Sequence, residues 1–137
     1  MSEKKDILLE KNFSLAITNH KNKNYQLAEK YYNQALDINS NHVKSNNNLG
    51  ILFYETKEPQ KAIICFEKVL KIDPNYNNAH NNLGIVFYEL GKNLKAISCY
   101  EKAIQINPKH TDAFNNLGIV FYELGDNQKA RDFYEKA

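Results

Sequence analysis

Three adjacent pairs of asparagines, Asn47-Asn48, Asn81-Asn82 and Asn115-Asn116, recur at intervals of 34 residues in a chain of 137. At fixed offsets each pair is followed by an isoleucine (Ile51, Ile85, Ile119), a tyrosine (Tyr54, Tyr88, Tyr122) and a glutamate (Glu55, Glu89, Glu123). A carboxamide both donates and accepts, so a row of them at constant rise suits an extended peptide, whose backbone offers N–H and C=O in turn. Tyrosine adds broad amphipathic contact area at low entropy cost, and a row of carboxylates favours a partner bearing Lys or Arg.

The other reactive side chains form no constellation. His20, His42, His80 and His110 are scattered, and none has a partner at i+4, so neither a helical metal site nor any cofactor is expected. His42 and His110 fall in turns, and His80 takes a packing position at the start of a helix. Carboxylates separated by a whole repeat are too far apart for a general acid and base, and there is no glycine-rich phosphate loop or nucleophile elbow. The chain reads as a non-enzyme. Cys65 and Cys99 occupy one register in successive repeats and show no CxxC spacing, which predicts reduced, structural thiols.

Charge and hydropathy narrow the partners further. The net charge of +2 is spread along the chain, so no basic stripe invites nucleic acid. The N-terminus has no apolar targeting core, and nowhere do 18 apolar residues run together, which predicts a soluble cytoplasmic protein with no membrane partner.

The rows must be carried by a repeated unit. NNLGIVFYELG is written twice, at Asn81–Gly91 and Asn115–Gly125, with the near copy NNLGILFYETK at Asn47–Lys57. In the unit from Asn77 to His110, Ala79, Leu83, Val86, Phe87 and Leu90 mark one face of a first helix, here called A. Gly91 can take the left-handed conformation that closes it. Leu94, Ala96, Ile97, Tyr100, Ala103 and Ile104 then stripe a second helix, B, which Asn107-Pro108 ends. The short turn forces the two helices antiparallel. Pro59 opens the B helix of the preceding unit, where its fixed φ suits a first turn, and Pro74 follows the end of that helix. Small residues mark the registers where helices approach closely: Ala16, Gly50, Gly84 and Gly118 in A, and Ala28, Ala62, Ala96 and Ala130 in B. A mid-helix glycine costs roughly 1 kcal/mol against alanine, so three in one register predict a steric requirement.

These positions resemble the tetratricopeptide repeat pattern: Leu49-Gly50, Phe53, Ala62, Phe66, Val69, Pro74; then Leu83-Gly84, Phe87, Ala96, Tyr100, Ala103, Pro108; then Leu117-Gly118, Phe121, Ala130, Tyr134, Ala137. A first unit is degenerate, with Leu15-Ala16, Asn19 in the aromatic position and Ser40 for proline, while Ala28, Tyr32 and Ala35 hold. The resemblance implies an all-α fold, a right-handed α-solenoid of antiparallel helix pairs. It divides residues 1–137, as one domain, into repeats of about 9–42, 43–76, 77–110 and 111–137, the last truncated in helix B. In such a solenoid the A helices line a concave groove, so the Asn, Ile, Tyr and Glu rows face it, along with Lys44, Asn78 and Asp112.

The implied function is a protein interaction scaffold that binds an extended peptide or partner segment. The Asn row resembles the groove of the tetratricopeptide domain of O-linked N-acetylglucosamine transferase, where asparagines hold substrate backbone. That likeness falls on Asn48, Asn82 and Asn116, and fails at Ser14. The carboxylate clamp of chaperone-binding members is absent, since Phe13, Ile17, Asn78 and Asn82 stand in its places. A competing reading is duplication: 20 asparagines, 17 lysines and 12 isoleucines beside one arginine are what AT-rich codons yield, and copying alone would repeat the rows. Replacing Asn48, Asn82 and Asn116 by alanine is expected to abolish binding with little loss of stability. The chain stops inside a B helix, which suggests either the N-terminal part of a longer protein or self-association through the flank near Phe121, Phe133 and Tyr134. An alternative role is the substrate-presenting arm of a larger enzyme such as a glycosyltransferase.

Overall fold

The computed structural model describes residues 2–136, and of Asn127, Gln128, Arg131, Phe133 and Tyr134 only the backbone. Tyr134 and Ala137 of the repeat pattern, and Phe133 of the flank, therefore lie outside the described side chains. Among the described residues there are eight α-helices and no strand, grouped into two compact units, Met1–Ile72 and Asp73–Ala137. The first holds α1 (Glu3–Lys21), α2 (Tyr25–Ile38), α3 (Val43–Glu55) and α4 (Pro59–Ile72), and the second holds α5 (Asn77–Glu89), α6 (Asn93–Ile106), α7 (Thr111–Glu123) and α8 (Asn127–Lys136). The fold class is thus the expected all-α series of antiparallel helix pairs: α1 packs on α2, α3 on α4, α5 on α6 and α7 on α8. Helix α1 begins at Glu3, capped by the Ser2 hydroxyl accepting from the Lys5 N–H at 3.2 Å, and is 19 residues long against 13 for the later A helices.

Every A helix closes in the same way. The backbone N–H of Gly91 bonds the Tyr88 carbonyl and that of Lys92 the Phe87 carbonyl, a paired end that requires a left-handed residue between them. Gly91 and Gly125 supply it at φ 75° and 84°, whereas Lys23 and Lys57 are held at φ 62° in the other two turns. The A and B helices then meet at the small residues. A methyl group added to Gly84 would lie 2.6 Å from the Tyr100 ring, and one on Gly50 would lie 2.7 Å from the Phe66 ring. That contact is the steric requirement the glycines imply. In the first pair Ala16 is itself fully buried, so one methyl is accommodated there.

The predicted stripes form the core, with one exception. Ala79, Leu83, Val86 and Phe87 of α5 and Ala96, Tyr100 and Ala103 of α6 are buried. Leu94 is 81% exposed and belongs to no stripe: it sits in the first turn of α6, two residues before the buried Ala96, at a register where other B helices carry Gln26 and Gln60. Lys61, Lys95 and Lys129 each place an ammonium 5.1–5.4 Å from the ring centre of Phe53, Phe87 and Phe121 on the partner A helix. In the first pair Leu27 and Asn19 stand at those positions, and Asn19 turns its amide back to the Leu15 carbonyl at 2.8 Å.

Candidate functional site

The paired asparagines divide. Asn47 and Asn81 are buried at 6% exposure, whereas Asn48, Asn82, Asn115 and Asn116 are half-buried. Two successive positions on a helix are separated by about 100°, so only one of a pair can lie on the outer edge of the A-helix layer. Ile51 and Ile85 are half-buried, as are Tyr54 and Tyr88, while Ile119, Tyr122 and the three glutamates are exposed. Of the neighbouring positions, Lys44, Asn78 and Asp112 are exposed.

Several row residues are engaged with one another between consecutive A helices. In the second unit the Asn116 amide donates to Asn81 Oδ1 at 3.1 Å, and the Tyr88 hydroxyl donates to Glu123 Oε1, both across a separation of 35 residues. In the first unit His20, the counterpart of Tyr88, bonds Glu55 through Nε2, again 35 residues on. Its Nδ1 lies 2.9 Å from the hydroxyl of Tyr32, which is buried on α2. Asn48 hydrogen-bonds the same Tyr32 oxygen. The donors run in one direction: Asn48 to Tyr32, Tyr32 to His20, His20 to Glu55. The Tyr32 phenol is pushed up to about 12, chiefly by burial and further by Glu55, with the Asn48 bond acting the other way, so its proton stays in place.

Two histidines serve a purpose that their spacing hides. His42 and His110 are the N-caps of α3 and α7, accepting through Nδ1 from Ser45 N–H at 3.3 Å and Ala113 N–H at 3.2 Å. Histidine is outside the usual capping set, so sequence rules for Ser, Thr, Asp and Asn miss it. With Nδ1 accepting, Nε2 carries the proton: that of His110 reaches Asn78 Oδ1 at 3.2 Å on α5, and that of His42 faces Glu10 Oε1 at 3.9 Å on α1. Burial holds the His42 imidazole below its ordinary value, with Glu10 opposing and Lys44 reinforcing. His80 bonds the Pro74 carbonyl at 3.0 Å.

Among the described residues no three His, Cys, Asp or Glu side chains group to hold a metal, and no helix is long and apolar enough to cross a membrane. Cys65 and Cys99 are free thiols, and burial pushes Cys65 up to about 11 with Lys68 opposing, which leaves a poor nucleophile.

The tetratricopeptide repeat family model matches residues 8–75 and 76–137. The chain belongs to that family. No curated protein sequence matches it. Among solved structures, MamA is similar in fold (23% identity, TM-score 0.87, 93% of this chain and 75% of that one). So is PilF of Pseudomonas aeruginosa (24% identity, TM-score 0.88, 98% of this chain and 61% of that one). MamA from residue 41 of Desulfovibrio magneticus RS-1 is similar too (21% identity, TM-score 0.85, 93% and 72% covered). At these identities the likeness is one of fold. The chain spans less than two thirds of PilF.

Proposed function

We propose that this tetratricopeptide repeat chain is a protein interaction scaffold whose A helices take extended peptide segments, with Asn48 in the first unit, and Asn82 and Asn116 in the second, each meeting peptide backbone. The observation that carries the reading is the division of the first two Asn pairs: Asn47 and Asn81 sink toward the core, while Asn48, Asn82 and Asn116 stay half-exposed on the helices that carry Tyr54, Tyr88 and Tyr122. The carboxylates of Glu55, Glu89 and Glu123 are exposed on the same helices and favour a partner with Lys or Arg.

The test is selection of binders from a random peptide library, then titration of a selected peptide against the triple variant Asn48→Ala, Asn82→Ala, Asn116→Ala. Three lost amide contacts at about 1 kcal/mol each predict an affinity loss beyond about tenfold. Unchanged affinity would overturn the reading. The variant is less benign than the sequence suggests: Asn116→Ala removes the donor that Asn81 Oδ1 uses at a buried site, and Asn48→Ala ends the donor chain behind Glu55. A loss of about 1–3 kcal/mol of stability accompanies it, so the titration is made below the melting transition, with helicity recorded alongside.

A further inference from the structure

The first unit contains an open recess of about 390 Å³ between α1, α2 and α3, walled by Ile17, Tyr25 and Tyr32, with Glu55 at one side and Lys21 and Lys23 at its rim. Three of the residues that line it are positions at which the first repeat departs from the others. His20 stands where the later repeats have tyrosine, Lys21 where they have glutamate, and Tyr25 where they have Pro59 or Asn93. Copying explains the identical rows, but it does not explain divergent positions that converge on one concavity.

The donor chain gives the recess its character. Glu55 is held by His20, which is oriented by the buried Tyr32 hydroxyl, which in turn accepts from Asn48. The Glu55 side chain keeps 42% exposure and lines the recess, while that of His20 keeps only 16%. A carboxylate fixed before binding loses little entropy when it meets a cation. The Tyr25 ring stands edge-on to His20 at 6.2 Å between centres and supplies an aromatic wall for a planar cation. Lys21 and Lys23 are exposed, so their long stems can swing into solvent, where their repulsion is screened.

We infer that this recess is the subsite for a basic side chain of the bound peptide, an arginine in first place, which pairs its guanidinium with Glu55 and lays its plane against Tyr25. The inference rests on the peptide-binding reading and adds to it a position and a chemical class. Arginine is favoured over lysine because a guanidinium can meet a carboxylate with two parallel N–H donors and stack on a ring, which an ammonium cannot.

The probes are three capped alanine–serine heptapeptides that differ only in a central arginine, citrulline or glutamate, titrated into the ¹⁵N-labelled chain. The arginine peptide is expected to shift the resonances of Tyr25, His20 and Glu55 and to bind about tenfold more tightly than citrulline. Glu55→Gln, which keeps an acceptor for His20, should erase that difference, and Lys21→Glu, which restores the residue of the later repeats, should widen it. Equal binding of arginine and citrulline overturns the subsite. So does preferential binding of the glutamate peptide that Lys21→Ala abolishes, which would mark the recess as a reader of acids. Shifts confined to the recess, with none at Asn82 or Asn116 for any peptide, would keep the subsite and overturn the ladder; shifts at Asn82 and Asn116 that ignore the central residue would do the reverse.

Discussion

The two units place different side chains on the same links. Consecutive A helices are tied in the first by His20 to Glu55, backed by Tyr32 and Asn48, and in the second by Tyr88 to Glu123, with Asn116 to Asn81 alongside. Both ties span 35 residues, so the geometry of the repeat demands a polar pair at that register and tolerates a change of donor. The histidine caps repeat the lesson: His42 faces Glu10 as His110 meets Asn78. Repetition of Tyr and Glu therefore has a packing cause as well as a candidate binding one. In the first unit the tie leads back to the buried Tyr32 phenol and borders a recess, and in the second the Tyr88 to Glu123 bond lies at an exposed site.

The sharpest contrast to break is at the helix crossing. Gly84→Ala in the second unit should destabilise by about 1–3 kcal/mol, because the added methyl meets the Tyr100 ring inside contact distance and outweighs the better helix propensity. The reverse change, Ala16→Gly in the first, should cost only about 1 kcal/mol through propensity. Urea unfolding of both variants measures the difference, and a stabilised Gly84→Ala would refute the steric account.

Cutting the ties should come next. His20→Ala removes the acceptor of the buried Tyr32 hydroxyl and should cost about 1–3 kcal/mol, against under about 1 kcal/mol for Tyr88→Phe at its exposed link. Amide hydrogen exchange should show the first loss in α1 to α3 and the second in α5 and α7. Equal losses would mean that the buried phenol adds nothing to the first tie.

Titration sharpens the first unit alone, where two groups respond with opposite signs. His42 is held below 6.5, so its contribution is complete above that value and is lost as pH falls through it, when a proton on Nδ1 would end the cap and set a positive charge at the helix N-terminus. Tyr32 is displaced upward, so its contribution is complete below 10 and is lost as pH rises through about 12. Melting temperature against pH should fall at both ends. His42→Asn, which retains a capping side chain, should flatten the acid arm, and an unchanged arm would assign it elsewhere. The smallest effect is a gain: Lys57→Gly should stabilise by about 0.5–1 kcal/mol, since lysine is strained at φ 62° where the later turns use glycine. Gly91→Ala should lose about as much despite open space around it.

Much of the fold was legible in the chain. The spacing of Leu83, Val86 and Phe87, the glycine after the A helices of the second unit and the prolines Pro74 and Pro108 after B helices are local signals, and local signals suffice where each repeat is one helix pair. Leu94 was misplaced because apolar character near a helix start does not tell which way the first turn points. Of the candidate site, the sequence placed the rows on the A helices but treated each residue as a surface group. It could not see that Asn116 spends its amide on Asn81, or that His20 substitutes for a tyrosine.

Periodicity and punctuation alone determined that this chain is a series of antiparallel helix pairs, because a 34-residue copy fixes the same hydrophobic face and the same turn each time. Which polar side chains remain for a partner was decided only in three dimensions. Residues 35 apart in the chain become neighbours there, and a hydrogen bond made between helices is withdrawn from the surface.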